Sequence, residues 1–417
     1  MMRLRIIESR DARAMWRLTH STPHADRAFD RRVRRIVEGI RRGGDRALLR
    51  MARQFDRLEG PLELLPSEIE RGAAQAPPDV RRAIRQAARN IARVARRQVP
   101  KRFAVEPVPG VIVEQRVEPL TRVGCYVPGG RFPLPSSLLM TVVPARVAGV
   151  RDIIVTCPRP EPAIMAAALE AGVTRLFRAG GAHAIAALAF GTETLGRVNK
   201  IVGPGNRYVA AAKALIAAEL RDCSIDFYAG PTEIVVIAGS GDPLWVAADL
   251  AAQAEHDPEA RSILVTWNRS FANRVARSAA RLRGMSCRGA IIVTASREEA
   301  VSIANRLAPE HLVIEDETLM SPNALVAGAV FVGPYAAQAA GDYATGSNHV
   351  LPTAGTARVR GGLTAADFVR VMSIQRITRA GLARLAPTIL PLARAEGLEA
   401  HARSIEIRLP PRRSGVR

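Results

Sequence analysis

Two short polar stretches interrupt a chain otherwise dominated by alanine and arginine: LAAQAEH at 250–256 and GDYATGSNHVLPT at 341–353. They carry Gln253, His256, Asp342 and His349, and histidine is scarce, with seven in 417 residues, at 20, 24, 183, 256, 311, 349 and 401. Imidazole titrates near neutral pH and is the commonest zinc ligand. The scarce histidines therefore mark chemistry, and their neighbours suggest a divalent metal beside an acid/base pair. Gln253 and His256 stand three apart in PLWVAADLAAQAEH, a helical pattern that puts both on one face, within reach of one ion. Alone, such a pair is more commonly polar surface decoration, and glutamine is an infrequent zinc ligand, so a metal needs further partners. Glu310 and His311 adjoin just before the strand-like LVIED. They read either as the polar end of a helix-to-strand loop or as two groups that handle protons in turn. Asp342 opens a loop rich in Gly, Ser, Thr and Asn, a placement suited to binding a polar ligand. His401 follows Glu396 by five residues in a terminal helix pattern.

The elements that must position these groups change character along the chain. The first 120 residues read as helices, with DRAFDRRVRRIVEGIRRGGDRALLRMARQFD broken at Gly43-Gly44 and an extended stretch, PVPGVIVEQRVEPL, following Pro100. From about 121, short β-branched runs alternate with Ala-rich helices. GCYVP, DIIVTCP, RLFRAGG, KIVGP, EIVVIAG, SILVTW, AIIVTA, HLVIED and AVFVGP read as strands. Strands separated by helix-length segments imply βαβ units and parallel sheet, hence an α/β class. There are more units than one sheet holds, so two related α/β domains are expected, split near 229–231. After 360 the pattern returns to helices, TAADFVRVMSIQRIT and RLAPTILPLARAEGLEAHARS, and a basic tail. Three glycine turns, PGGRFP (128–133), AGGAH (179–183) and GPGNRY (203–208), each follow a strand and precede a helix. Each is either a plain tight turn or a set of backbone N–H groups suited to a pyrophosphate.

The formal charge of +21 invites a nucleic-acid reading, but all the Lys+Arg total of 60 except Lys101, Lys200 and Lys213 is arginine spread along the chain. In RRAIRQAARNIARVARRQVPKR (81–102), Arg85, Arg89, Arg93 and Arg97 recur every four residues while Ile84, Ala88, Ile91 and Ala95 fill the other face. That is an amphipathic helix with a solvated basic side. No finger spacing or aromatic RNA-binding motif accompanies it, so no nucleic-acid partner is expected. The four cysteines, at 125, 157, 223 and 287, form no Cys-x-x-Cys pair, which argues against a disulfide framework or thiolate zinc site and fits a reducing compartment. Cys157, after IIVT, reads as a buried apolar residue. No stretch reaches the ~18 apolar residues needed to span a bilayer, and the start lacks an unbroken apolar leader. A cytoplasmic protein with no membrane partner is expected.

The ordered set AGPTE (229–233), LAAQAEH (250–256), APEHL (308–312), GDYATGSNHVLPT (341–353) and EGLEAH (396–401) closely resembles the histidinol dehydrogenase family. YVPGG (126–130), GGAHAIAALAFGT (180–192), GPGN (203–206) and IRRGGDRALLRMARQFD resemble it too, so the similarity spans nearly the whole chain. The resemblance implies two Rossmann-like parallel-sheet domains, with a helical N-terminal region (1–120) packing with one at 230–359, an NAD-binding one at 121–229, and a helical, dimer-exchanging tail at 360–417. It implies one Zn2+ per subunit held by Gln253, His256, Asp342 and His401, and an acid/base pair at Glu310 and His311. Those four ligands and His311, with Thr232, His349 and Glu396, would face the substrate, and Tyr126, His183 and Asn206 would contact NAD. The implied reaction is the NAD-linked, four-electron oxidation of L-histidinol through L-histidinaldehyde to L-histidine, which ends histidine biosynthesis. It would be run by a homodimer in which Glu396 and His401 serve the neighbouring subunit. Two positions depart from the family pattern: His183 stands where Gln is usual, and Thr232 where Ser is frequent. A paralogue oxidising another polar alcohol is the alternative, with a basic nucleic-acid-binding protein behind it.

Overall fold

The computed structural model describes residues 4–19, 26–129, 132–228, 230–282, 288–320 and 325–409. His20, His24, Cys287 and the basic tail from 410 lie outside them, as do Gly130, Arg131 and Ala229 of the motifs above. The chain divides into two compact units, one of Met1–Gln98 with Leu120–Phe368 and one of Val99–Pro119 with Val369–Arg417.

The first unit holds two six-stranded sheets. One is formed by β1 (Arg5–Glu8), β10 (Glu233–Ile237), β11 (Arg261–Thr266), β12 (Arg288–Val293), β13 (His311–Ile314) and β14 (Ala329–Val332). Its order is β1-β12-β11-β10-β13-β14 and every pairing is parallel. The other comprises β2 (Glu63–Leu64), β5 (Arg122–Tyr126), β6 (Asp152–Thr156), β7 (Arg175–Phe177), β8 (Lys200–Val202) and β9 (Ser224–Ile225). Its order is β2-β7-β6-β5-β8-β9, parallel except for β2 on β7.

Continuous apolar runs make these strands because helices cover both faces of a parallel sheet. In β10, Ile234 and Val236 face Leu250 and Phe271, while Val235 and Ile237 face Ile303 and Leu307. The α/β class and all nine strands read from the sequence are present. The helix Pro78–Gln98 buries Ile84, Ala88, Ile91 and Ala95, as its pattern requires. The helical stretch Arg27–Met51 breaks at Gly44, whose φ of 48° and ψ of −138° are non-helical, so two helices meet there as the Gly43-Gly44 pair implies. Its residues Val33, Val37, Ile40 and Leu48 pack with Phe177, Ile185 and Leu188 beside the second sheet.

Among the differences from the expectation, two elements stand out. The strand β1 lies in a segment that reads as helix; four residues, RIIE, carry too little pattern to show that β12 would take them as an edge partner. TAADFVRVMSIQRIT is not a helix but a 3-10 turn (Ala365–Phe368) that closes the first unit, followed by a strand in the second. This strand, β15 (Val369–Ile377), pairs antiparallel along its whole length with β4 (Val111–Pro119), which pairs with β3 (Phe103–Val108). V-R-V-M-S-I-Q-R-I alternates with the period of a strand, and nine ladder pairs outweigh its helix-compatible composition. The tail beyond is helical as expected, at Arg379–Ala395 and Glu399–Glu406.

Cys125, Cys157 and Cys223 are buried, and burial pushes the Cys157 thiol up to about 12, which suits packing rather than nucleophilic attack. No helix among the described residues is long and apolar enough to cross a membrane.

Candidate active site

The first group of polar residues gathers at the amino ends of β10 and β13, which are hydrogen-bonded neighbours with Ile234 opposite His311. This register brings Thr232 and Glu233 beside Glu310 and His311. Consecutive residues at a strand start ordinarily point apart, but the chain turns here: Ala308 caps the preceding helix in the left-handed region, φ 46°, and Pro309 follows. Glu310 Oε2 consequently lies 3.7 Å from His311 Nδ1.

Both groups are buried, and their partners assign their roles. The Thr232 hydroxyl and the Glu233 N–H both donate to Glu310 Oε2, the latter at 3.0 Å, which leaves Oε1 as the oxygen able to exchange a proton. His311 Nδ1 lies 3.3 Å from the Glu233 carbonyl, an acceptor only, so this nitrogen carries the hydrogen and Nε2 keeps the lone pair. Nε2 faces Gln338 Nε2 at 3.5 Å and Asp342 Oδ1 at 3.7 Å. Burial raises the Glu310 carboxyl above its ordinary range, in spite of His311 and the two donors. Burial also opposes charge on His311, but Glu310 and Asp342 outweigh it and hold the imidazole above its ordinary value. Burial of Asp342 is in turn outweighed by the hydrogen bond and charge of His311 and by His349 and His256, so this carboxyl sits low. Desolvation holds the half-buried His349 below its ordinary value; its Nδ1 lies 3.0 Å from the Asp342 carbonyl and its Nε2 3.5 Å from Ser137 Oγ.

Gln253 completes this chain of contacts from the other side. Its Nε2 donates to the Thr232 hydroxyl, whose own hydrogen goes to Glu310. That orientation leaves Gln253 Oε1 buried without a hydrogen-bond partner. A buried, unpaired carbonyl oxygen calls for a ligand, and oxygen is a competent zinc donor. His256 lies two residues beyond the end of its helix (Pro243–Ala254), in a turn held by its N–H on the Gln253 carbonyl, and is exposed. Asp342 belongs to the short helix Gln338–Tyr343 rather than to the loop expected for it. Among the described residues no three His, Cys, Asp or Glu groups alone form a metal cluster; the donors gathered here include an amide. Glu396 and His401 belong to the second unit, where both are exposed, at the end of one tail helix and in the next.

Tyr126, His183 and Asn206 meet elsewhere, in the lining of one cavity of about 820 Å³. Tyr126 ends β5, and His183 and Asn206 follow the carboxyl ends of β7 and β8; β5 is the strand from which the chain order runs outward both ways, the position where parallel sheets bind ligands. His183, buried, donates from Nε2 to Asp56 Oδ2 at 2.8 Å, and the Gly180 N–H donates to the same oxygen at 2.9 Å. The Tyr126 hydroxyl accepts from the Gly181 N–H at 3.2 Å. Asn206 caps its helix by accepting from the N–H groups of Tyr208 and Val209. Arg32, Arg35 and Arg50 also line the cavity, and their charge suits a diphosphate.

Sequence reasoning missed four of these partners. Gln338 stands four residues before Asp342 and donates to its Oδ2 at 2.5 Å, so helical spacing was a usable signal. Ser137, Asp56 and Glu233 carried none: each sits in an ordinary local pattern and acquires its role from a residue more than 70 positions away.

A family model described as histidinol dehydrogenase matches residues 20–409. The histidinol dehydrogenase of Geobacter sulfurreducens is 44% identical over 396 residues, covering 90% of this chain and 92% of its own. That of Methanothermobacter thermautotrophicus is 43% identical over 396 residues, again with 90% and 92% covered. The crystal structure of histidinol dehydrogenase from Elizabethkingia anophelis is similar with a TM-score of 0.91 at 31% identity, covering 97% of this chain and 98% of that one.

Thr232→Val keeps the side chain's shape but strands the Gln253 N–H and deprives Glu310 of a donor. Losing partners of buried polar groups costs about 1–3 kcal/mol, so kcat/KM is expected to fall roughly 10–100-fold. Steady-state kinetics equal to those of the parent would show that the hydroxyl bridge is dispensable.

Proposed function

We propose a residue-level account of the site from the premise that the chain belongs to the histidinol dehydrogenase family. It is an NAD-dependent, zinc-containing oxidoreductase that oxidises L-histidinol to L-histidine in histidine biosynthesis. In this account Gln253, His256 and Asp342 hold the zinc together with His401. The observation that carries it is the buried, unpaired Gln253 Oε1 at the end of the contacts linking Thr232, Glu310, His311 and Asp342. One carboxylate among neutral donors leaves the metal Lewis-acidic. When bound, the zinc orients the substrate as a Lewis acid and NAD accepts a hydride in each of two oxidations.

The chain's own groups handle the protons. His311 Nε2, its lone pair kept free by the hydrogen on Nδ1, takes the alcohol proton in the first oxidation. Glu310 Oε1 takes a proton from the water that hydrates the aldehyde, and His311 acts again as the hydrate is oxidised to the carboxylate. Burial raises this carboxyl above its ordinary range, which makes it a stronger acceptor for that proton. His349 presents Nε2 toward the substrate's oxygen end, and the Thr232 hydroxyl also lies at the substrate. Glu396 pairs with a cationic part of the substrate. Holding the reactive aldehyde in a closed site prevents its loss. Tyr126, His183 and Asn206 contact NAD in their shared cavity, within the region 121–229, while 230–359 carries the substrate. The departure at 183 is compatible with this role, since Asp56 holds the imidazole in place and leaves Nδ1 for the cofactor. Glu396 and His401 are exposed on the tail, which favours a homodimer in which they complete the neighbouring subunit's site. A cytoplasmic location fits this biosynthetic role.

Purified protein with L-histidinol and NAD is expected to produce NADH, and a strong zinc chelator is expected to abolish it. Turnover of another polar alcohol in preference to histidinol would favour the paralogue instead.

Glu310→Gln is expected to slow oxidation of the aldehyde more than that of the alcohol, because only the aldehyde step consumes water. Equal losses on the two substrates would remove Glu310 from water activation.

His401→Ala is expected to lose zinc by metal analysis and turnover with it. Mixed with an inactive His311→Ala partner it should regain part of the activity through hybrid dimers. Failure of every such mixture, with hybrids verified by mass, would mean that each subunit completes its own site.

A further inference from the structure

A buried ion pair beneath the cofactor cavity takes no part in the proton chain. Lys213, on the helix Arg207–Glu219, places Nζ 2.6 Å from Asp226 Oδ1, and both side chains are 2% exposed. The pair grips a single residue. Lys213 Nζ donates to the Gly203 carbonyl at 2.6 Å, and the Gly203 N–H donates to Asp226 Oδ2 at 2.7 Å. Asp226 is itself held, accepting the Phe227 N–H on Oδ1 at 2.7 Å and an Arg360 guanidinium on its carbonyl. Gly203 has a φ of +119°, and a Cβ there would lie 2.0 Å from the Tyr126 carbonyl oxygen. Its backbone is thus pressed against one cofactor-cavity residue, Tyr126, and stands three residues before another, Asn206.

Removing two charges from water is expensive, and a hydrophobic pair of similar volume often serves stability as well. Stability alone therefore gives little reason for an ion pair here. A lysine and a carboxylate can hold both the carbonyl and the N–H of one residue, which an apolar pair cannot do. We propose that Lys213 and Asp226 are positioning residues for NAD, clamping Gly203 so that Tyr126 and Asn206 keep the spacing the cofactor needs. This rests on the reading of the cavity of Tyr126, His183 and Asn206 as the NAD site.

The test uses the zinc-loaded enzyme and the double variant Lys213→Met/Asp226→Leu, which removes both charges at once and leaves neither unpaired. NADH binding is measured by fluorescence titration without substrate, beside KM for NAD and for histidinol, zinc content and thermal unfolding. The NADH Kd and the KM for NAD are expected to rise about tenfold or more, since misplacing positioning groups by about 1 Å has effects of that order. The KM for histidinol and the zinc content are expected to stay at parental values. Should the double variant not fold, Asp226→Asn serves, because its amide must set its NH2 against either the Gly203 N–H or the Lys213 ammonium and so breaks one arm of the clamp, and the same weakening of NADH binding is expected. His183→Ala separates the two readings. Weaker NADH binding in His183→Ala but parental binding in the folded clamp variant overturns the clamp and leaves the cavity assignment standing. Parental binding in both variants overturns the assignment and the clamp with it. Equal rises in KM for both substrates, together with a lowered unfolding temperature, would reduce the pair to a structural role and overturn the proposal.

Discussion

The register between β10 and β13 is the constraint on which the site depends. Parallel pairing of Ile234 with His311 puts the residues just before both strands side by side. There the Thr232 hydroxyl accepts from Gln253 and donates to Glu310. A slip of one residue would turn every side chain to the opposite face, separating Glu310 from its donors and leaving a buried carboxyl unsatisfied. The two-sided apolar burial of β10 and β13 resists such a slip, so the sheet core is what holds the chemistry together.

In the proposed account the two halves of the reaction use opposite ends of two sheets. The residues proposed as the acid/base pair lie at the amino ends of β10 and β13, and the cavity proposed for the cofactor at the carboxyl ends of β5, β7 and β8. Within the first unit the two are joined at the helix that follows β5 (Pro135–Val147). Ser137 on this helix lies 3.5 Å from His349, and the Asn348 side chain donates to the Met140 carbonyl at 2.7 Å. The helix that leads away from the cofactor strand is therefore tied to the loop that carries His349. Transfer of a hydride between two bound molecules requires their reacting atoms to be held close, and this link joins the segments proposed to hold them.

Much of this was legible in the chain itself. Nine runs rich in β-branched residues became strands, all but the edge strand β14 because each is apolar enough to be buried on both faces, and the arginine-striped helix buries the face opposite its charges. Where the reading failed, two elements competed. VRVMSIQRI carries residues compatible with a helix, and pairing with β4, more than 250 positions away, made it a strand. RIIE became a strand only because β12 offered an edge. Asp342, read as part of a glycine-rich loop, closes a helical turn whose first residue, Gln338, bonds back to it.

The identities of the reactive groups, their order and the α/β class belong to the sequence, because residue chemistry and hydrophobic period are local properties. Which nitrogen of His311 keeps a lone pair, which oxygen of Glu310 can exchange a proton, and why Gln253 Oε1 faces outward from its hydrogen bond were decided only by the folded chain. Those properties depend on partners such as Glu233, Thr232 and Asp342, brought within a few ångströms by sheet pairing and by helices packed on the sheet, across 21 to 78 residues. No local pattern encodes that closeness, since it is produced by the register of strands that meet only in the sheet.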